Sequence, residues 1–153
     1  MVILAFLQNM WVREPEKVRA WLDKNPHLWN RAVTGFLFSG CLTGRRIKAC
    51  FGDLVEKMTF EECTREIAGD SRTICPPNTA HIEACIEKYK PTVVVTFGRI
   101  AAEAVRPIWH AWSTLTPEYF IALPHPAARQ VDTISKLKSA ANKIRRLCGN
   151  YIS

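Results

Sequence analysis

Three short runs of apolar residues stand out along the chain. They are residues 2–7 (VILAFL), 92–97 (TVVVTF) and 119–123 (YFIAL), and in each run apolar residues occupy both sides of the period-2 alternation of a strand. Strands that are apolar on both faces are typical of parallel sheets covered by helices on each side. The runs therefore predict three central strands of such a sheet.

Between these runs the apolar residues recur at helical spacing. Six helices are predicted. The first two begin near Pro15 and at His27, the next two begin after N-caps at Thr43 and Asn78, and the last two begin after Gly98 and just before Ile134. The fifth of them is expected to end before Pro107, because proline disrupts a helix interior. The sequence leaves open whether the third helix ends at Gly52 or continues through Met58. Residues 59–77 have the weakest periodicity and are expected to hold one more strand and long loops.

Apolar strands that alternate with amphipathic helices predict the class and architecture of the fold. We expect an α/β protein, a three-layer α/β/α sandwich around a central, mostly parallel four-stranded sheet, built as a single domain over residues 1–153. In such sheets a ligand lies beyond the carboxyl ends of the strands. Residues 8–11, Gly98 and residues 124–129 directly follow predicted strands. The functional site is expected where these three segments meet.

The positive charge is concentrated at one end of the chain. Lys and Arg number 21 against 14 Asp and Glu, a net charge of +7. Residues 126–153 hold six of the basic residues and one acid, Asp132, which makes this segment +5. A basic surface of this kind suits the phosphate backbone of a nucleic acid. Charge alone leaves open the alternative, a solvated basic helix without a partner.

Membrane and metal signals are weak in this sequence. No run approaches the roughly 18 consecutive apolar residues of a membrane span. Residues 2–7 have no basic flank before them, so no secretory signal is expected and the protein is expected to be cytoplasmic. We also expect a monomer. The six cysteines include no C-x-x-C pair and are expected to be free thiols. We expect no metal and no cofactor, with zinc on Cys75, His81 and Cys85 as the alternative.

Four segments follow one another along the chain: FLFSGCLTG at 36–44, Cys-Pro-Pro at 75–77, TVVVTFG at 92–98 and HPAAR at 125–129. In this order they resemble the uracil-DNA glycosylase superfamily, most closely its bacterial and archaeal members that carry an iron–sulfur cluster. The pair TVVVTFG and HPAAR is the specific part of the resemblance. The resemblance implies a DNA glycosylase, which hydrolyses the N-glycosidic bond of a flipped-out uracil or another modified or deaminated base. It also implies DNA, duplex or single-stranded, as the partner.

The resemblance assigns catalytic roles to two segments. His125, held between two prolines, would donate a hydrogen bond to a carbonyl oxygen of the departing base and so stabilise its negative charge. Gln8 and Asn9 stand where relatives place the residue that positions the attacking water, although Met10 replaces the proline usual in the family. On the residues alone, His125 also fits a surface turn, and Gln8 and Asn9 fit a polar turn after a strand.

The resemblance also implies residues that bind the base. Phe36 and Phe38 lie in the stretch from which relatives stack a Phe on the base; packing in the core is the alternative for each. Ser71 stands roughly where relatives read uracil with an Asn. This departure leaves the identity of the base open.

Five cations are candidate DNA contacts. Arg129 follows His125 by four residues, where several relatives fill the gap left by the extruded base, and it could equally bind phosphate. Arg45 and Arg46 follow Gly44 at a predicted helix start, where free backbone N–H groups favour anions. Lys138 and Arg145 belong to the outer face of the last predicted helix. For these cations, too, a solvated surface is the alternative.

The cysteine pattern departs from the cluster-bearing relatives. Those relatives use four cysteines, two of them close together near the amino terminus. Only Cys75 and Cys85 have counterparts among these four, and the amino-terminal pair is missing, so no iron–sulfur cluster is expected. Two other functions remain open. One is a non-catalytic nucleic-acid-binding relative that lost the water-activating residue, and the other is a nucleotide-processing α/β enzyme.

Overall fold

A parallel four-stranded sheet forms the centre of the protein in the computed structural model, which describes residues 1–114 and 119–152. The strands are β1 (Ile3–Leu7), β3 (Met58–Glu62), β5 (Val93–Phe97) and β6 (Phe120–Leu123), in the order β3-β1-β5-β6. β1 and β5 agree with predicted runs to within one residue. β6 begins one residue later than predicted, and β3 is the strand expected within residues 59–77.

Six helices cover the sheet in the described part of the chain. They are α1 (Pro15–Lys24), α2 (Trp29–Leu37), α3 (Leu42–Phe51), α4 (Thr79–Tyr89), α5 (Arg99–Trp112) and α6 (Thr133–Ile152). Two 3₁₀ helices, Pro26–Leu28 and Gly52–Lys57, precede α2 and β3. None of the helices in the described ranges is both long enough and apolar enough to cross a bilayer.

Alternate residues of the strands face two separate cores. From β1, Ile3, Ala5 and Leu7 pack with α1, α2, α3 and α6, whereas Leu4 and Phe6 pack with α4 and α5. Every residue of β1 is buried, as expected for a strand between two helical layers. The predicted α/β/α sandwich with a parallel four-stranded sheet is confirmed.

Two predicted helix boundaries differ from the observed ones. α5 does not end before Pro107 but continues to Trp112. Pro107 lies on the exposed side of the helix, and burial of Val105 and Trp109 offsets the roughly 3 kcal/mol that an internal proline costs. α3 begins at Leu42 rather than after Thr43. It ends at Phe51, because Gly52 adopts the left-handed region with φ 56°.

A second, two-stranded sheet extends the carboxyl edge of the main sheet. β2 (Met10–Trp11) pairs in parallel with β4 (Ile67–Ala68), and the Val12 amide donates to the carbonyl oxygen of Ala68 at 2.9 Å. This pairing was not predicted, since two-residue strands carry no detectable periodicity. It fixes the path of the chain just after β1.

Candidate active site at the carboxyl edge of the sheet

A cavity of about 490 Å³ lies at the carboxyl edge of the sheet, where the fold class predicts a ligand. This volume is in the range typical of small-molecule sites. Six residues from five segments illustrate its walls: Gln8, Asn9, Phe36, Glu62, Ser71 and His125. Five of the six were predicted site residues, and Glu62 was not.

The loop after β6 holds His125 rigidly. The Ala127 amide donates to His125 Nδ1 at 3.1 Å, and the Ala128 amide donates to the carbonyl oxygen of His125 at 2.9 Å. Arg46 Nη1 donates to the carbonyl oxygens of Pro126 and Ala128 at 2.7 and 3.0 Å. Arg46 therefore holds the loop that carries His125, and its predicted contact with phosphate stays a prediction.

Gly98, which follows β5, is required by its backbone conformation rather than by a lack of space beside this loop. Its φ of 96° is one that side chains rarely adopt, and a Cβ placed on it would lie 3.6 Å from the Cβ of His125. Its amide donates to the carbonyl oxygen of Leu123 at 2.8 Å. The ends of β5 and β6 are thereby joined directly beneath the imidazole.

The hydrogen bonds of His125 define its protonation. Burial lowers the pKa of the imidazole, because a low-dielectric environment disfavours the charged form. The neutral ring carries its proton on Nε2, since Nδ1 accepts from Ala127. Nε2 has no partner among the described residues. His125 is thus a fixed neutral N–H donor lining the cavity.

Glu62 also lines the cavity, although the sequence did not indicate it as a site residue. It ends β3 opposite Leu7, one residue before Gln8, and it is only 3% exposed. Its Oε2 is buried without a hydrogen-bond partner in the described structure. Burial, with a smaller effect of neighbouring Glu61, raises the pKa of this carboxyl group to about 8. The available signal was a strand ending in two successive acids, one for each face of the sheet.

Asn9 and Gln8 differ in what their side chains do. The Asn9 Oδ1 accepts from the Cys75 amide at 3.0 Å, and its Nδ2 donates to the carbonyl oxygens of Met10 and Thr73 at 3.2 and 3.4 Å. The Asn9 amide group therefore clamps residues 73–75 onto the end of β1. Gln8, half-buried beside it, makes no such bond with the described residues and is the freer of the two.

The two phenylalanines proposed for stacking have separate places. Phe36 lines the cavity and packs edge-to-face against Trp11, with ring centroids 5.8 Å apart. Phe38 does not line it. Its ring packs edge-on against Phe60 at 5.3 Å, under the ammonium of Lys48. Both rings are partly buried against the same core, and Phe36 is the one of the two that lines the cavity. The predicted stacking of Phe38 on a base therefore finds no support in its position.

The segment that carries Ser71 is shaped by Asp70. The Asp70 Oδ1 accepts hydrogen bonds from the amides of Arg72 and Thr73 and from the Thr73 hydroxyl, at 2.8 to 3.0 Å. The backbone donors, first that of Arg72, lower the pKa of Asp70. This turn presents Ser71 at the wall of the cavity.

The predicted DNA-contacting cations divide into two groups. Arg45, Arg129 and Lys138 are exposed and make no hydrogen bond or ion pair within the described ranges. Arg145, by contrast, donates to the carbonyl oxygen of Phe51 at 2.9 Å and pairs with Asp53 at 3.2 Å. Arg145 thus closes the carboxyl end of α3, and its predicted role as a phosphate contact stays a prediction.

A basic cleft adjoins the loop of His125. Its volume is about 380 Å³, and it lies between the end of β6 and α6. Lys136, Lys143 and Arg146 line it together with Pro124, the residue before His125. Lys136 also pairs with Asp132 at 2.9 Å. Of the three cations of the basic cleft, Lys143 and Arg146 are therefore the more available to bind an anion. Neither was predicted as a site residue from the sequence.

The sequence matches no protein-family model and no curated protein.

Proposed function

We propose that the protein is a DNA glycosylase that hydrolyses the N-glycosidic bond of a flipped-out uracil or of another modified or deaminated base. The observation that carries the proposal is the convergence on one cavity of His125, Glu62 and Gln8, each at the carboxyl end of a different parallel strand. The resemblance to uracil-DNA glycosylases noted in the sequence supports it, as does the basic cleft beside the cavity.

His125 stabilises the departing base. As the glycosidic bond breaks, its electron pair passes to the base, and a carbonyl oxygen of the base gains negative charge. The Nε2–H of a rigid, neutral imidazole stabilises that charge more in the transition state than in the ground state. The hydrogen bonds from Ala127 and the Arg46-bound loop keep this donor oriented before the substrate arrives.

Glu62 and Gln8 supply the hydrolytic part of the reaction. A buried carboxyl group without a protein partner is suited to accept a hydrogen bond from a water molecule. The water oxygen forms the new bond to C1′ of the sugar, and the proton it loses is taken up by the departing base anion. Asn9 shapes this wall of the cavity by holding residues 73–75. We therefore assign to Glu62 and Gln8 the water-positioning role that was predicted for Asn9.

Base and backbone are held by different surfaces. Phe36 offers an aromatic face or edge to the base, where stacking is typically worth about 1–3 kcal/mol. Ser71 contributes a hydroxyl group to the same wall. Arg129 lies on the exposed loop after His125, as does Val131, whose side chain is fully solvent-accessible. Both are placed to fill the gap left by an extruded base.

The engaged amide of Asn9 favours a second candidate function. If a free Asn side chain is needed to activate water, its hydrogen bond to Cys75 leaves a protein that binds a flipped base without excising it. Binding of modified DNA without release of the base, and hence without abasic sites, distinguishes this candidate from the enzyme. A nucleotide-processing enzyme would instead act on free nucleosides or nucleotides.

An abasic-site assay tests the proposal. Oligonucleotides that carry uracil, hydroxymethyluracil, hypoxanthine or a mismatch are incubated with the protein and cleaved with alkali. We expect abasic sites on at least one of them, and His125→Ala should lower the rate by about 10²–10³-fold. His110→Ala, which changes an exposed histidine on α5, is the matched control. No product on any substrate, or equal rates in wild type and His125→Ala, would remove the proposed mechanism.

A further inference from the structure

A second cluster of reactive side chains lies on the other face of β3 from Glu62. His81 Nε2 is 3.7 Å from Glu61 Oε1 and 3.6 Å from Cys85 Sγ, and the three donor atoms all lie within 4.8 Å of one another. We propose that Glu61, His81 and Cys85 bind a zinc ion. This site is separate from the proposed glycosylase site and does not depend on that function.

The spacing of the donor atoms fits a zinc centre. A tetrahedral ion with bonds of about 2.0–2.3 Å keeps its ligand atoms about 3.3–3.8 Å apart. The distances of 3.6 and 3.7 Å to His81 Nε2 are in this range. The Glu61 and Cys85 donor atoms lie within 4.8 Å of each other, so these two side chains would move together by up to about 1 Å to complete the coordination. A set of one carboxylate, one imidazole and one thiolate suits zinc better than magnesium or calcium, which prefer oxygen ligands alone.

The fold places the three ligands without strain. His81 and Cys85 are four residues apart on α4 and hence on one face of the helix. The α4 N-cap, Asn78, accepts from the His81 amide at 3.0 Å and so fixes the first turn. Glu61 projects from β3 toward this face because Glu62, its neighbour, lines the carboxyl-edge cavity on the other side of the sheet.

Neighbouring donors orient the Glu61 carboxylate. Trp29 Nε1 donates to its Oε1 at 2.8 Å, and the Tyr89 hydroxyl donates to its Oε2 at 3.3 Å. Each carboxylate oxygen has a second lone pair, which remains for the metal. Such outer hydrogen bonds typically change metal affinity by about 10–100-fold.

The surroundings leave room for a fourth ligand. A cavity of about 290 Å³ is lined by all three residues, so that water can occupy the remaining position of the ion. Arg65 and Lys88 also line this cavity. Because exchange of the thiol proton for a divalent ion adds one positive charge to the cluster, these two cations weaken metal binding.

Binding exchanges protons for the metal. The Cys85 thiol releases its proton to solvent and binds through sulfur. His81 Nε2, now 3.0 Å from the carbonyl oxygen of Glu62, coordinates through its lone pair, so the ring carries its proton on Nδ1. Cys75 does not belong to this cluster. Its backbone amide donates to Asn9 at the carboxyl edge of the sheet, and the donor atoms within 4.8 Å of one another are those of Glu61, His81 and Cys85. The zinc set considered from the sequence is thus replaced by one that includes Glu61.

Metal titration of the reduced, metal-stripped full-length protein tests this site. We expect one Zn²⁺ per chain, measured in competition with a chromophoric chelator, and a thiolate-to-metal absorption band when Co²⁺ replaces zinc. Cys85→Ser and His81→Ala should each weaken binding about 10²-fold or more. Cys50→Ser, a buried cysteine on α3, and His27→Ala, at the rim of the same cavity, are matched controls that should bind normally.

Three results would overturn the proposal. They are the absence of stoichiometric Zn²⁺ binding, unchanged affinity in folded Cys85→Ser, and stoichiometric Co²⁺ binding without the thiolate band. The last is measured on wild-type protein and so decides the matter even if a variant fails to fold. Trp29→Phe provides a milder variant, which should bind about tenfold more weakly through loss of the hydrogen bond to Glu61.

Discussion

The guanidinium group of Arg46 lies 2.7 Å from the carbonyl oxygen of Pro126, the residue that follows His125. A second bond from the same nitrogen reaches Ala128 at 3.0 Å. A side chain of α3 thus sets the position of the histidine loop, 80 residues further along the chain. If His125 is the donor to the base, Arg46 is its positioning residue.

Replacing Arg46 with Ala should lower kcat by about 10²-fold, because small misplacements of a catalytic group have effects of that size. KM and the salt dependence of DNA binding should stay unchanged. Arg46→Lys should recover part of the rate, since it restores one donor, and Arg31→Ala, an exposed arginine of α2, is the control. A flatter salt dependence with a normal rate would instead identify Arg46 as a phosphate contact.

Loss of the Glu62 carboxyl group should impair hydrolysis. Glu62→Ala is expected to reduce the single-turnover rate by about 10²-fold or more, as for other groups that assist an attacking water. Glu62→Gln keeps an oxygen acceptor and should retain more activity than Glu62→Ala. The matched control is Glu56→Gln, at an exposed position. Wild-type rates in folded Glu62→Ala would exclude a role in positioning water.

Asn9 should contribute mainly to stability. Asn9→Ala leaves the Cys75 amide without its acceptor, which we expect to lower the free energy of unfolding by about 1–2 kcal/mol. Asn9→Asp preserves that acceptor and should lose less. Urea unfolding measures the effect, with Gln8→Ala as the control because Gln8 makes no comparable bond. Equal losses in Gln8→Ala and Asn9→Ala would contradict the clamp.

His125 should make stability depend on pH. Burial lowers its pKa in the folded state, so below about pH 6.5 the unfolded chain binds more protons than the folded one. The contribution of His125 to stability should therefore fall as the pH drops through 6.5 and level off below its folded pKa, whereas the raised pKa of Glu62 acts in the opposite direction. The comparison with a His125 variant isolates the first contribution. Thermal unfolding should show a smaller loss on acidification in His125→Gln than in wild type. His110→Gln is expected to resemble wild type; a change of the same size there would refute the assignment.

DNA binding should depend on the cations of the basic cleft. Simultaneous replacement of Lys143 and Arg146 with Ala should flatten the log–log salt slope by about two units on duplex DNA, since each phosphate contact contributes about 0.9. Lys24→Ala, at the end of α1, should leave the slope unchanged. Arg145→Ala should lower stability instead, because Arg145 is engaged with Phe51 and Asp53. An unaltered slope in the double variant would show the cleft to be merely solvated.

Much of the architecture followed from local patterns. The buried strands β1 and β5 are apolar on both faces, and the helices between strands carry apolar stripes, so periodicity alone predicted the three layers. The site was expected at the carboxyl edge because a parallel sheet brings all its strand ends together. That reasoning placed His125 and Gln8, which directly follow strands, at this edge, and both line its cavity. The preference of Asn for N-caps separately predicted Asn78 as the cap of α4.

Other features depended on contacts between distant parts of the chain. The sequence shows Arg46 and Arg145 as charges, but only the packed helices decide that they bind carbonyl groups 80 and 94 residues away. Phe38 and Phe36 look alike in sequence, and their different neighbours separate them. Glu61 and Glu62 fall in a segment of weak periodicity, and the register of β3 beside β1 assigns one to each cavity. The strands and layers come from short-range patterns of apolar residues, whereas the roles of polar side chains depend on which groups the fold brings within hydrogen-bonding distance.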